Sequence, residues 1–281
     1  MEDTSKDTSM KDSRIRSLSS SREEKSEKVK PEKEGRLRRG IYLLPNLITS
    51  GALFAGFYSI ISSMSGSLVN ASIAIGVAAL LDALDGRIAR LTHTESEFGT
   101  QYDSLSDMVA FGVAPAVLMF NWILSEMGNI GWVVGFLYMA CAALRLARFN
   151  TQPDNSAFTG LASPAAAGVM AATVWTWLNH DMGTPGLEFG ALFAVQTAFV
   201  ALLMVSNITY YSPKTVNLKG KVPFRFMLGF VCLLAVVFID PPLVLLVLVA
   251  AYCVWSPVKA LLGKMGFIKN KVKSVTAESS E

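Results

Sequence analysis

The chain is poor in the residues that build most soluble catalytic sites. It has two histidines and three cysteines in 281 residues, and Cys141, Cys232 and Cys253 each stand alone inside an apolar run. That spacing supports neither a disulfide framework nor a cysteine–histidine zinc site. Charge is scarce as well, at 17% of residues against 52% hydrophobic. Soluble domains carry about a quarter charged residues, so the composition excludes an ordinary soluble fold. The net charge of +3 is too small to point to nucleic acid, and none is expected as a partner.

The charge that exists is unevenly placed. Residues 1–39 hold 12 Lys/Arg and 9 Asp/Glu with almost no large apolar side chains. Such a segment cannot bury enough surface to offset its ordering entropy and reads as a disordered tail. It lacks the apolar core and cleavage site of a signal peptide. Its cations suit anionic membrane lipids, each worth about 1 kcal/mol at a headgroup surface.

Beyond it come apolar runs at 41–63, 68–90, 105–125, 130–149, 160–179, 187–207, 225–240 and 241–258. A bilayer takes about 20 apolar residues per helix, and "DPP" at 240–242 breaks the last two runs apart. The expectation is an all-α integral membrane protein of about eight transmembrane helices. Its catalytic domain would be 40–258, between a charged tail at 1–39 and a second tail at 259–281.

Cations orient the spans. With the first tail in the cytoplasm, the outer connections "SMSGSLVN", "SEMGNIG", "NHDMGTPGLE" and "DPP" contain no Lys or Arg, and all 25 cations fall on the cytoplasmic side. Seven spans would strand the last five lysines outside. The expected setting is a bacterial cytoplasmic membrane with both termini inside. Small-residue stretches such as "SGALFAGF" and "PAAAGVMAA" permit close helix packing, within the chain or in a homodimer.

One stretch breaks the apolar pattern: "LLDALDGRIARLTHTESEFGTQYDSLSD", residues 80–107. It joins the second span to the third on the cytoplasmic side. Asp82 and Asp85 are three apart, Asp103 and Asp107 four apart, so each pair shares a helix face. If the faces meet, four carboxylates converge and need compensation by cations. An all-oxygen ligand set suits Mg²⁺ or Mn²⁺. Two such ions with open positions form the clamp used for displacement at phosphorus. Gly86 lets a ligand approach the backbone, Arg87 and Arg90 can pair with phosphate oxygens, and Ser96 and Thr100 lie in a loop able to close over a nucleotide. Paired aspartates at helix ends also serve as caps or arginine partners, and a lone Asp-x-x-Asp says little.

The full pattern Asp82-x-x-Asp85-Gly86-x-x-Ala89-Arg90, eight residues, Gly99-x-x-x-Asp103-x-x-x-Asp107 resembles the signature of the CDP-alcohol phosphatidyltransferases at every fixed position. The resemblance implies an all-helical bundle in which the four aspartates hold two divalent cations. Gly86, Ala89, Arg90 and Ser96 would contact the CDP moiety of CDP-diacylglycerol, and Asp107 would be the general base. "LPNLITSGALFAGF" is similar to the family's Pro-Asn segment, which would bring Asn46 and Thr49 to the same substrate; an interhelical polar contact is the alternative for both.

"RLARFN" and "FTGLASPAAA" resemble the phosphatidylserine synthase branch, which implies L-serine as acceptor and CMP as leaving group. Arg145 and Arg148 suit an acceptor carboxylate, though both also fit positive-inside anchoring. That branch usually has proline at the position of Ala162. A sister enzyme using glycerol 3-phosphate or inositol would need more basic residues than Arg145, Arg148 and the 208–225 loop supply. A divalent-cation transporter would need ionisable groups along the membrane depth, and the last three spans have none in their interiors.

Overall fold

The computed structural model describes residues 30–92, 94, 96–151, 159–183, 185–208, 210 and 224–278. Residues 1–29 of the expected tail, and most of the cations of the 208–225 loop, lie outside the described residues. The helices are α1 (Lys30–Met64), α2 (Leu68–Thr92), α3 (Glu97–Asp107), α4 (Ala114–Trp122), α5 (Asn129–Thr151), α6 (Ser163–Asn179), α7 (Leu187–Val205), α8 (Phe224–Ile239) and α9 (Pro241–Glu278). A π-helical turn, Met108–Val113, joins α3 to α4, so the two run on as one rod. α1 begins at Lys30 and α9 continues to Glu278, so each takes in residues assigned to the tails from sequence.

Every expected apolar run contains a helix, and the all-α membrane class stands. The count needs refinement. Among the described residues six helices are long and apolar enough to cross a membrane: 44–64, 68–92, 97–122, 129–151, 188–205 and 241–259. α6 has 17 residues and α8 has 16. At about 1.5 Å per residue they reach about 25 Å, near the lower limit for a crossing, so the count of about eight is approximate.

The packing is that of a membrane bundle, with small residues on the seams and large ones outside. Ala71, Ala78, Ala110, Ala114, Ala142, Ala166 and Ala167 are fully buried, while Phe54, Leu80, Phe136, Val195 and Phe238 are exposed. Small side chains let backbones approach where lipid offers no hydrophobic drive for helices to associate. At Gly56, an added Cβ would stand 2.7 Å from Ala110 Cα, so α1 lies directly on the π turn. Two of the buried hydroxyls are satisfied by backbone: Ser59 donates to Ala71 O at 2.8 Å and Thr197 to Phe193 O at 2.7 Å.

The two ends of the bundle differ in chemistry. One holds the aromatic cluster of Trp122, Trp177, Phe189 and Phe193, such as collects at membrane interfaces. At that end His180 Nε2 lies 2.9 Å from Asp240 Oδ2, joining the end of α6 to the start of α9. Asp240 is the single residue between α8 and α9, and its Oδ1 accepts from Leu243 N at 3.3 Å, capping α9. The opposite end carries the acidic stretch.

Candidate active site

Helical phase brings the acids together. Asp82 and Asp85 lie on the last turns of α2, and Asp103 and Asp107 on α3, whose start is set by Ser96. Ser96 caps α3 by accepting from Gly99 N at 3.0 Å, turning the chain straight back toward α2. One carboxylate oxygen each from Asp82, Asp85 and Asp103 lies within 4.8 Å of the others. Asp107 adjoins this group, with Asp82 and Asp103 in electrostatic range of its carboxylate. The π turn begins at the next residue. Such turns mark functional sites because they leave helix carbonyls unpaired and rotate the helix face. Here Tyr138, fully buried on α5, donates to Phe111 O at 3.2 Å within that turn.

α1 supports the cluster from beside it. Thr49 Oγ1 donates to Asp85 Oδ2 at 2.7 Å, and Ser106 Oγ returns a bond to Thr49 O at 3.2 Å. Asp85 is only 4% exposed. Ser50 and Tyr102 hydroxyls pair at 2.8 Å, a second tie between α1 and α3.

Beside the acids opens a cavity of about 520 Å³. Asn46, Thr49, Gly86, Ala89, Arg90 and Ser96 all line it, together with Asp85 and Asp103. Arg87 is exposed and does not line it. Thr94 and Phe149 do, and the sequence reading missed both. Phe149 sits inside "RLARFN", yet only the fold carries the end of α5 over the loop between α2 and α3. An apolar groove of about 560 Å³ between α1 and α2, lined by Phe54, Ile73 and Val77 among others, holds no acid or cation.

The two arginines of α5 part company. Arg145 is largely buried, and its Nη1 donates to Ser163 Oγ at 2.6 Å. Its neighbours in electrostatic range are Asp107, Tyr252, Asp82 and Tyr138. Arg148 donates instead to Asn207 Oδ1 at 2.9 Å, at the end of α7. Asn150 pairs with Ser104 Oγ at 3.0 Å, pinning α5 to α3. The segment that follows is held by Gly160 N donating to Ile208 O at 2.9 Å and Leu161 N to Leu203 O at 3.0 Å.

Fold and site together define a class: an integral membrane protein with an all-oxygen acidic cluster beside an arginine-edged cavity at one end of its helices. Comparison with known proteins names the family within that class. The family model for CDP-alcohol phosphatidyltransferase matches residues 42–206, and the chain belongs to that family of phosphotransfer enzymes. It is 36% identical over 237 residues to a CDP-diacylglycerol–serine O-phosphatidyltransferase of Helicobacter pylori, covering 83% of this chain and 98% of that one. A protein of the same description from Mycobacterium leprae is 35% identical over 241 residues, 79% of this chain and 76% of the relative. An archaetidylserine synthase of Methanothermobacter thermautotrophicus is 35% identical over 170 residues, 59% of this chain and 69% of its own length.

Proposed function

We propose that this enzyme transfers the phosphatidyl group of CDP-diacylglycerol to the hydroxyl of L-serine, giving phosphatidylserine and CMP. The observation that carries the reading is the meeting of Asp82, Asp85 and Asp103 within 4.8 Å, with Asp107 adjoining, beside a cavity edged by Arg90. The relatives described as serine transferases support the choice of acceptor.

The oxygen-only donor set fits two Mg²⁺ or Mn²⁺ ions, with Asp82, Asp85, Asp103 and Asp107 as the residues to hold them. Bound there, they would neutralise the pyrophosphate and make CMP a better leaving group. The chain's own groups do the rest. Arg90, Ser96 and Asn46 orient the nucleotide, and Gly86 and Ala89 leave room for it against α2. Thr49 holds Asp85 in place through its 2.7 Å hydrogen bond. Asp107 takes the proton from the serine hydroxyl as that oxygen attacks the phosphorus bearing diacylglycerol. Arg145 and Arg148 are the cations available to the serine carboxylate, and Arg145 is the one near Asp107.

The distribution of cations supports a cytoplasmic site in a bacterial inner membrane, with both termini on that side. Small-residue faces allow a homodimer. The test is CMP release from CDP-diacylglycerol by purified protein with Mn²⁺, offered L-serine, glycerol 3-phosphate or inositol in turn. Release that depends on L-serine supports the reading; release with another alcohol alone overturns the acceptor.

A further inference from the structure

We infer that the acceptor's carboxylate is received in a subsite built by Arg145, Ser163 and Tyr252, the last of them supplied by a helix beyond the residues that the family model matches. The inference deepens the proposed function and rests on its amino-acid acceptor. The family model ends at residue 206, whereas Tyr252 belongs to α9, which starts at Pro241.

The guanidinium of Arg145 is the starting point. Nη1 is engaged by Ser163 Oγ at 2.6 Å, and Ser163 is fully buried. Nε is buried with no hydrogen-bond partner. Among the described residues Arg145 forms no ion pair. A buried cation with an unpaired donor is costly unless something meets it. With Nη1 taken and Nε left without a partner, the Nε–Nη2 edge is the one that would meet a carboxylate in the two-pronged contact arginine makes.

The register of α9 brings Tyr252 to about the same level. α9 runs antiparallel to α6: Asp240 meets His180 at one end, and Val249 packs 3.6 Å from where a Cβ on Gly168 would stand. From that contact Tyr252 lies three residues on along α9 and Ser163 five residues back along α6. At about 1.5 Å per residue the two come to within about one turn of the same level. Tyr252 is accordingly in electrostatic range of Arg145. The next residue is anchored, since Tyr210 donates to Cys253 O at 3.3 Å. Tyr210 follows the same segment whose Ile208 O holds Gly160.

The chemistry follows from the layout. A small amino acid bound with its carboxylate on the Nε–Nη2 edge, and on the Tyr252 hydroxyl, extends its own hydroxyl toward Asp107, which is also in range of Arg145. The four aspartates carry the phosphate chemistry, and Tyr252 on α9 helps select the alcohol.

Initial rates of CMP release are measured for the full chain in detergent with Mn²⁺, against L-serine and against serinol, which keeps the amine and hydroxyl but has no carboxylate. Tyr252→Phe is expected to raise the KM for L-serine about tenfold, the loss of one hydrogen bond to a charged group. The KM for CDP-diacylglycerol and the rate with serinol stay as in the parent. Ser163→Ala shifts the L-serine KM in the same direction. An unchanged L-serine KM in Tyr252→Phe, or a fall in rate shared equally by L-serine and serinol, overturns the subsite while serine-dependent release by the parent upholds the function. Release from the parent that ignores L-serine overturns both. Should Tyr252→Phe unfold early in a thermal melt, Tyr252→Met repeats the removal of the hydroxyl, and the same KM comparison decides.

Discussion

At the scale of single residues, Asp107 and Thr49 illustrate two ways in which one oxygen can matter. In the proposed mechanism Asp107 takes the proton, with Asp82 and Arg145 in electrostatic range of it. Asp107→Asn keeps the shape and removes the base. CMP release should fall by about 10²–10⁴-fold, the usual worth of general base catalysis, with the thermal unfolding midpoint unchanged. Thr49 touches no substrate in this scheme but donates to Asp85 at 2.7 Å. Thr49→Val is isosteric and loses that donor. The Mn²⁺ concentration for half-maximal rate should rise by about 10-fold or more, as expected when the group orienting a metal ligand is lost. Titrating the metal at saturating substrates checks it, and an unchanged midpoint would show that Asp85 needs no such support.

At the scale of elements, the loop into α6 and the π turn after α3 set where the side chains point. Gly160 has φ +84°, and a Cβ there would stand 2.3 Å from Met204 O. Gly160→Ala meets both the left-handed penalty of about 1–2 kcal/mol and a backbone clash. The melting temperature should drop, and the KM for the acceptor should rise because Ser163 lies three residues further on. Activity and melts on the same preparation separate the two effects. Tyr138→Phe removes the donor to Phe111 O at 3.2 Å and leaves a buried carbonyl in the π turn short of a partner, at a cost of about 1–3 kcal/mol. The readout that a bare stability loss would not move is the Mn²⁺ dependence, since the turn sets the direction of Asp107. A melt shift without any change in metal dependence would reduce Tyr138 to a packing role.

At the scale of the whole molecule, the charge distribution predicts a single orientation. A membrane-impermeant thiol reagent applied to intact cells should label Ser65→Cys and Met182→Cys, both exposed, and leave Lys259→Cys untouched until the membrane is opened. The reverse pattern would place the acidic cluster on the outer face.

Much of this architecture is legible in the chain itself. Apolar runs, the break at Asp240, the one-sided cations and the Asp82–Asp107 spacing are local properties, and hydrophobicity, helical phase and charge act on them without reference to the fold. They determine an all-helical membrane protein and predict that acids from two successive helices face one another. Contacts between distant segments were not legible, because no local rule relates residues tens of positions apart. Tertiary packing alone decided that Arg145 reaches Ser163 while Arg148, about one turn further along the same side of α5, reaches Asn207, because different segments cross α5 at the two levels. It also decided that Phe149 lines the cavity, that Thr49 holds Asp85, and that α9 lies along α6 at the level of Ser163, since these depend on how helices cross and on where small residues let them touch.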